Sequence, residues 1–378
     1  MKNLSAKLAC AMLAITLGAA SLTGCGQGKV IDGTAEAIVV NDESVNLGVA
    51  NFMIRYQQAM MVSYYTMFGQ DTSRIWDTQA EEGTYGESFK KDMLESIQKL
   101  YLLKEHAKDY DVVLSEDEIA KADAAADEFI AANDESVLKS LGVTKEDIST
   151  VLQLYTYQNK MYDPMVADTD TEVSDDEAAQ TSITYVRVST QGTETDADGN
   201  TVDLTDEEKA AKKDQAQQVL DQILASEDAA EADVNAIAQG IDENLSASAR
   251  SYGSDDTTLD EVLKTAAADL KDGEVNPEVL EGSDGYYVLR LDKTFDEEKT
   301  EQKKQEIVNQ RKQERYNEIL QGWFDEAKTS TTKAWDEIEV KDAEAYTLKQ
   351  AASEDTNTSS SSSEDTSTTN SSQEGTDE

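Results

Sequence analysis

The sequence predicts an α+β fold that is mostly helical, in which a helical region is followed by a small α+β unit and a long helix. Two features of the 378 residues support this prediction. Apolar side chains recur every three or four positions through most of residues 45–165, as in amphipathic helices. The composition then changes, and residues 182–293 carry strand-like segments at both ends with helical segments between them.

Residues 1–24 have the layout of a secretory signal peptide, with two lysines before an apolar run and small residues after it. The apolar run, Leu8 to Leu22, is about 15 residues long, whereas a helix needs roughly 20 to span a bilayer. The run therefore indicates a cleaved leader rather than a permanent membrane anchor. An ordinary cleaved signal peptide with a chance cysteine after it is one interpretation of this end of the chain.

The residues at the end of the leader favour a second interpretation. Leu22, Thr23, Gly24 and Cys25 resemble the bacterial lipobox, which implies cleavage before Cys25 and attachment of two acyl chains to its thiol. Two acyl chains anchor a protein stably where one is marginal. Cys10 leaves with the leader, so Cys25 is the processed chain's only cysteine and forms no internal disulfide. We expect a lipoprotein on the extracytoplasmic face of the membrane, in which residues 25–36 are a tether between the lipid and the folded region.

The helical region begins with a short strand and turn over residues 37–45, because Asn41 and Asp42 tolerate turn backbone angles. A helix is predicted over Leu47 to Met67. Its methionines and tyrosines could line an adaptable binding surface, and packing in the core is the alternative interpretation. The candidates for this surface are Met60, Met61, Tyr64 and Met67.

Further helices are predicted over 89–110, after Ser115, after Thr144 and after Thr205. Ser115 with Glu118 and Thr205 with Glu208 have the spacing of a capping box, in which side chains satisfy the free backbone N–H groups of a helix start. Pro164 is expected to close the helical region. His106 is the chain's only histidine, which excludes multi-histidine metal sites, and it is expected at the surface or its boundary.

Within residues 182–293 the predicted order is strand, helix, helix, helix, strand. Residues 183–188 alternate as a strand does, a turn is expected at 198–200, and the final strand covers 285–291. A charged helix over 295–328 follows. Residues 351–378 hold 15 Ser or Thr and seven acidic residues, and they are predicted to be a disordered tail.

The charge of the chain limits the classes of partner that it can bind. The formal net charge is −45, and loss of the leader with its two lysines takes it to −47. Phosphate binding needs Lys and Arg to displace counterions, so nucleic acid is excluded as an expected partner. No cofactor and no metal are predicted.

Several strings resemble the extracytoplasmic foldases, the PrsA lipoproteins and their periplasmic relative SurA. Residues 37–45 are similar to the family's entry strand, and 141–148 are similar to a recurrent helix start. Residues 270–279 resemble the run into the last strand of a parvulin-type prolyl isomerase, and residues 285–291 resemble that strand. The resemblance implies a helical chaperone domain (37–175), an inserted parvulin-like domain (182–293) and a C-terminal helix (294–345) that returns to the chaperone domain. It also implies unfolded or newly secreted polypeptides as partners, and thereby makes Met60, Met61, Tyr64 and Met67 the candidates for client binding.

The resemblance also locates an isomerase pocket. Parvulins place one histidine in the first strand and one in the last, and these positions hold Tyr185 and Tyr287 here. The family's cysteine or aspartate maps near Asn244. The two replacements predict that isomerase activity is weak or lost. Simple packing of the strands is the alternative interpretation of both tyrosines. The alternatives are a solute-binding lipoprotein of a transporter, which requires two lobes built on parallel sheets, and a purely structural envelope protein.

Overall fold

The structure of this protein is a computed structural model that describes residues 21–24, 30–192 and 204–348. The chain divides into two compact units, the first holding residues up to 160 and from 326 onward, and the second holding residues 161–325. The predicted acylation site Cys25 lies outside the described residues. So do residues 1–20 of the predicted leader, the predicted turn at 198–200 and the predicted tail at 351–378.

The first unit contains a short strand, a hairpin and the helices of the N-terminal half. In chain order its elements up to the unit boundary are β1 (Leu22–Gly24), β2 (Glu36–Val40), β3 (Glu43–Asn46), α1 (Leu47–Met67), α2 (Tyr85–His106), α3 (Glu116–Ala132), α4 (Glu135–Leu141) and α5 (Lys145–Met165). Helix α5 runs across the boundary at residue 160.

The second unit contains a four-stranded sheet with helices against it. Its elements are α6 (Asp175–Ala178), β4 (Thr181–Ser189), α7 (Asp206–Leu224), α8 (Val234–Ile241), β5 (Ala247–Tyr252), α9 (Glu261–Ala268), β6 (Leu280–Glu281), β7 (Gly285–Lys293) and α10 (Glu297–Glu326). The chain then re-enters the first unit as β8 (Thr329–Thr331), α11 (Lys333–Asp336) and β9 (Tyr346–Leu348).

The predicted α+β fold class is confirmed, and several element limits agree with the sequence. Helix α1 has the predicted limits, and the hairpin of β2 and β3 turns at Asn41, whose φ is 51°. The capping boxes of α3 and α7 both form. All pairs among the described strands are antiparallel, so the described chain lacks the parallel sheets that a solute-binding lipoprotein would need.

The structure differs from the predicted order in two places. Residues 247–252 form strand β5, which the sequence analysis missed, and β6 adds a fourth strand to the sheet in the order β5–β4–β7–β6. The helical region is also interrupted between Phe68 and Thr84. The sequence of β5, Ala-Ser-Ala-Arg-Ser-Tyr, has few residues with strand preference, so pairing with β4 determines its conformation.

The sheet of the second unit separates two hydrophobic cores. Val186, Val188 and Val288 face one core together with α7 and α8. Ile183 and Leu289 face the other core, which packs against α9. This alternation is the period of two that strand geometry imposes. The core on the α9 side also contains Tyr287, with Tyr185 packed against it, and thereby positions both predicted pocket residues.

A buried arginine joins α1 to the segment that returns at the end of the chain. The Arg55 guanidinium donates to the carbonyl oxygen of Glu339 at 2.6 Å and to that of Glu344 at 3.4 Å. It also forms an ion pair with the Glu344 carboxylate at 3.3 Å. Burial lowers the pKa of Arg55, and the charge of Glu344 acts in the opposite direction. These bonds fix the position of the chain between α11 and β9.

We expect Arg55→Met to destabilise the first unit by about 2–4 kcal/mol. The methionine keeps the packing of the aliphatic stem, but the two carbonyl groups lose their charged donor. Urea unfolding of the processed chain measures this change as a shift of the midpoint. Arg74→Ala, which alters an exposed arginine of the same unit, is the control and should stay within about 0.5 kcal/mol. Equal effects of the two substitutions would contradict the role of Arg55.

Candidate functional site

The two predicted pocket tyrosines lie on neighbouring strands of the second unit and contact each other. Strands β4 and β7 pair so that Tyr185 lies opposite Leu289 and Arg187 lies opposite Tyr287. The tyrosine rings are therefore diagonal neighbours, with centroids 5.8 Å apart and planes inclined by 61°. This edge-to-face arrangement is the favourable one for aromatic pairs. Tyr185 is half-buried and Tyr287 is buried.

The hydroxyl of Tyr287 is held within the protein. It donates a hydrogen bond to the carboxylate of Asp284, in the turn before β7, and Asp284 also pairs with Arg187. Burial, the bond to Asp284 and the negative charges of Asp284 and Asp260 together raise the pKa of Tyr287. The phenol is therefore neutral at physiological pH, and its proton is directed at Asp284.

The turn before β7 is shaped to receive the Tyr287 ring. A side chain at Gly282 would place its Cβ 2.5 Å from Cε2 of Tyr287 and 2.8 Å from Oδ2 of Asp260. Asp260 holds the turn by accepting bonds from the backbone N–H of Ser283 at 2.9 Å and from its hydroxyl at 2.8 Å. A glycine at 282 is thus required for the close approach of the ring to the turn.

The side chain of Asn244, the third predicted pocket residue, is hydrogen-bonded away from the tyrosine pair. Its amide nitrogen donates to Oδ1 of Asp242 at 3.0 Å, and its backbone N–H donates to the same oxygen at 2.9 Å. This is a local turn in which Asp242 accepts from the residue two positions on. Its neighbour Leu245 packs in the core on the α7 side of the sheet, whereas the tyrosine pair lies on the α9 side.

The groups that surround the tyrosine pair include several that the sequence analysis did not identify, namely Arg187, Asp260, Gly282 and Asp284. The string Gly-Ser-Asp-Gly over 282–285 was a turn signal that could have suggested the position of Asp284, three residues before Tyr287. In the described parts of the chain, no three carboxylate, cysteine or histidine side chains gather where they could hold a metal ion.

The second candidate surface is the C-terminal part of α1. From Leu47 to Ala59 the helix is largely buried, but its last two turns carry large apolar side chains to the surface. Tyr64 and Phe68 pack edge to face at 5.0 Å on this surface. The exposed fractions of the side chains that form it, which we call the α1 patch, are 40% for Met60, 47% for Tyr64, 73% for Met67 and 63% for Phe68.

Met61 lies beside the α1 patch but is half-buried. Its sulfur is 3.9 Å from the hydroxyl of Tyr85, at the start of α2. Three of the four predicted client-binding side chains are therefore exposed, and the structure does not place those three in the core, which was the alternative interpretation. Phe68, which the sequence analysis did not include, extends the same surface.

Comparison with known proteins gives one family match. Residues 195–302 match the model of the PPIC-type PPIase domain, so the second unit contains a domain of the parvulin type. No curated protein matches the sequence.

Two solved structures are similar over most of the chain. A crystal structure of the foldase protein PrsA from Lactococcus lactis is 15% identical and covers 79% of this chain and 96% of its own, with a TM-score of 0.31. A structure described under the SurA-like chaperones PEB4 and Cj1289 of Campylobacter jejuni is 13% identical and covers 79% of this chain and 99% of its own, with a TM-score of 0.27.

We expect Tyr287→Phe to lower the free energy of unfolding of the second unit by about 1 kcal/mol, because a hydrogen bond to a carboxylate is lost while the ring remains. Tyr185→Phe keeps the ring contact and is expected to change stability by less than about 0.5 kcal/mol. Urea unfolding of both variants checks the difference. A larger effect at Tyr185 than at Tyr287 would contradict a stabilising role of the hydrogen bond from the Tyr287 hydroxyl to Asp284.

Proposed function

We propose that this chain is a membrane-anchored extracytoplasmic foldase that binds unfolded segments of secreted proteins. The premise is the match of residues 195–302 to the PPIC-type PPIase domain. The holding surface is the α1 patch in the first unit. The parvulin-type domain has weak or no isomerase activity. The observation that carries the proposal is the exposure of four large apolar side chains at the end of one helix, three on its last turns and Phe68 at its C-cap.

The α1 patch has the chemistry that binding to many different sequences requires. Contiguous apolar side chains on a soluble protein usually mark an interaction surface, because their exposure to water is unfavourable. Methionine side chains are flexible and polarisable, so Met60 and Met67 can adapt to different apolar partners. Tyr64 adds a large apolar ring with a polar end that hydrogen-bonds readily. The strong negative charge of the chain keeps it soluble while this surface is exposed.

The tyrosine pair supports the proposal of weak isomerase activity. Rotation about a peptide bond has a barrier of about 18–20 kcal/mol, and a catalyst must stabilise the twisted amide. Polar groups that assist must point at the substrate when it binds. The Tyr287 hydroxyl instead donates to Asp284, and its ring is buried against Tyr185 and α9. Substrate would have to displace this bond before the hydroxyl could interact with it.

The proposed membrane anchor is an acylated Cys25. The leader and its lipobox-like end support cleavage before Cys25 and acylation there, which would keep the holding surface where secreted chains emerge. Among the helices that the structure describes, none combines the length and apolar character needed to cross a bilayer. The lipid on Cys25 is therefore the proposed membrane attachment.

Holding activity is tested by suppression of aggregation. We expect the processed chain to delay aggregation of a chemically unfolded protein, and the triple variant Met60→Ser, Tyr64→Ser, Met67→Ser to need at least about fivefold more protein for the same delay, equivalent to about 1 kcal/mol of binding free energy. Light scattering measures the delay.

The matched control replaces other exposed apolar residues of the first unit, Val113→Ser with Ile119→Ser, and should behave as the unsubstituted chain does. Urea midpoints show whether each variant is folded. Full protection by a folded triple variant would refute the role of the α1 patch.

Isomerase activity is tested with a protease-coupled assay on a proline-containing peptide. We expect the isomerisation rate with the processed chain to stay close to the uncatalysed value, because the Tyr287 hydroxyl donates its hydrogen bond to Asp284. Tyr287→Phe should leave the rate unchanged. Robust acceleration that is abolished by Tyr185→Ala or Tyr287→Phe would contradict the proposed loss of activity.

A further inference from the structure

The end of the predicted leader is docked on the first unit as a strand. Residues Leu22, Thr23 and Gly24 form β1, which pairs antiparallel with Leu348, Thr347 and Tyr346 of β9, respectively. The Leu22 side chain is fully buried, and its backbone N–H donates to Oδ1 of Asn133 at 2.7 Å. The chain thus pairs with a short strand edge and fills a buried pocket with its own residues.

The proposed processing removes this occupant. Cleavage before Cys25 would release all three residues of β1 together with the rest of the leader. Among the described strands, β9 pairs only with β1, so cleavage would expose one edge of β9. An exposed strand edge presents unpaired backbone N–H and C=O groups that readily pair with another extended chain. The same step would open the pocket of Leu22.

The site is held in shape by contacts that do not involve β1. Tyr346 is buried, its hydroxyl is 2.8 Å from Oγ of Ser140, and the Arg55 guanidinium lies 5.5 Å from its ring centroid. Asn133 is fixed by its own amide group, which donates to the carbonyl oxygen of Phe129 at 2.8 Å. Asn133 and Tyr346 therefore each have contacts of their own that do not involve β1.

We infer that in the processed chain β9 and Asn133 form a strand-addition site that takes an extended segment of a client polypeptide with a leucine-sized aliphatic side chain. This inference rests on the proposed function and adds a second mode of client contact to it. Backbone pairing with β9 tolerates many sequences, while the pocket selects one aliphatic side chain. Residues 22–24 show the required chemistry, because they occupy the site in the precursor.

The test compares the precursor with the processed chain. Both carry Cys25→Ser, which prevents acylation, and both are kept in the same detergent. The probe is the peptide Ala-Ser-Leu-Thr-Gly-Ser with a photoreactive diazirine leucine, at about 0.1 mM. A tethered segment has an effective concentration in the millimolar range, so we expect the precursor to give about tenfold fewer adducts than the processed chain. Mass spectrometry should locate the adducts in α4, β9 and around Asn133.

A matched peptide tests the hydrogen bond. Methylation of the leucine backbone nitrogen removes the donor to Asn133 and should lower the adduct yield of the processed chain at least about fivefold. Equal adduct yields from precursor and processed chain, adducts spread over other surfaces, or no adducts at all would overturn the inference.

The aggregation assay on the same processed chain distinguishes this inference from the proposed function. If the chain suppresses aggregation and gives no adducts at β9, the strand-addition site is refuted and the holding function stands. If adducts form at β9 and aggregation is not suppressed, the strand-addition site is supported and holding by the α1 patch is refuted.

Discussion

The buried guanidinium of Arg55 is the interaction on which the first unit depends. A charge removed from water is costly unless it is paired and hydrogen-bonded, so the return segment must approach α1 closely enough to supply Glu339 and Glu344. That approach brings β9 onto α1 and places the Tyr346 ring near the guanidinium. Residues almost 290 positions apart in the sequence are thereby joined, and the last part of the chain completes the unit that the first part begins.

Helix α1 belongs to the core along its N-terminal turns and exposes large apolar side chains along its last turns. The N-terminal turns of α1 are enclosed by the hairpin, by α3 and by the return segment, as the edge-to-face contact of Phe52 with Phe129 at 5.1 Å illustrates. The last two turns extend beyond these elements, and Met60, Tyr64 and Met67 are exposed to water there, although Val62 is buried. A helix that is apolar on all sides is buried wherever neighbours are available. The α1 patch is the part of the helix that has no such cover among the described residues.

Most of the elements that the sequence predicted correctly depend on residues that are close together in the chain. The limits of α1, the capping boxes of α3 and α7, and the strands β4 and β7 follow from periodicity and capping residues within short stretches. Strand β5 was missed because its conformation depends on pairing with β4, and its own residues favour no strand. The contact between Tyr185 and Tyr287 agrees with the resemblance that singled them out, but their role stays a prediction.

The sequence did not predict the hydrogen bonds that position the side chains of each site. These bonds join segments that are distant in the sequence or depend on the shape of a turn. Arg55 with the return segment, Leu22 with Asn133 and Tyr287 with Asp284 are of this kind. The predicted domain limits also stay a prediction. Helix α10 belongs to the second compact unit up to residue 325, and only the segment from 326 onward lies with the first.

Binding of unfolded clients at the end of α1 can be observed by methyl NMR of the processed chain labelled with ¹³C-methyl methionine. Met60 and Met67 are exposed, whereas Met53 and Met93 are buried in the same unit and serve as internal controls. On addition of a permanently unfolded protein, we expect the methyl signals of Met60 and Met67 to shift or broaden while those of Met53 and Met93 stay unchanged. Unchanged signals from Met60 and Met67, with the client bound, would contradict it.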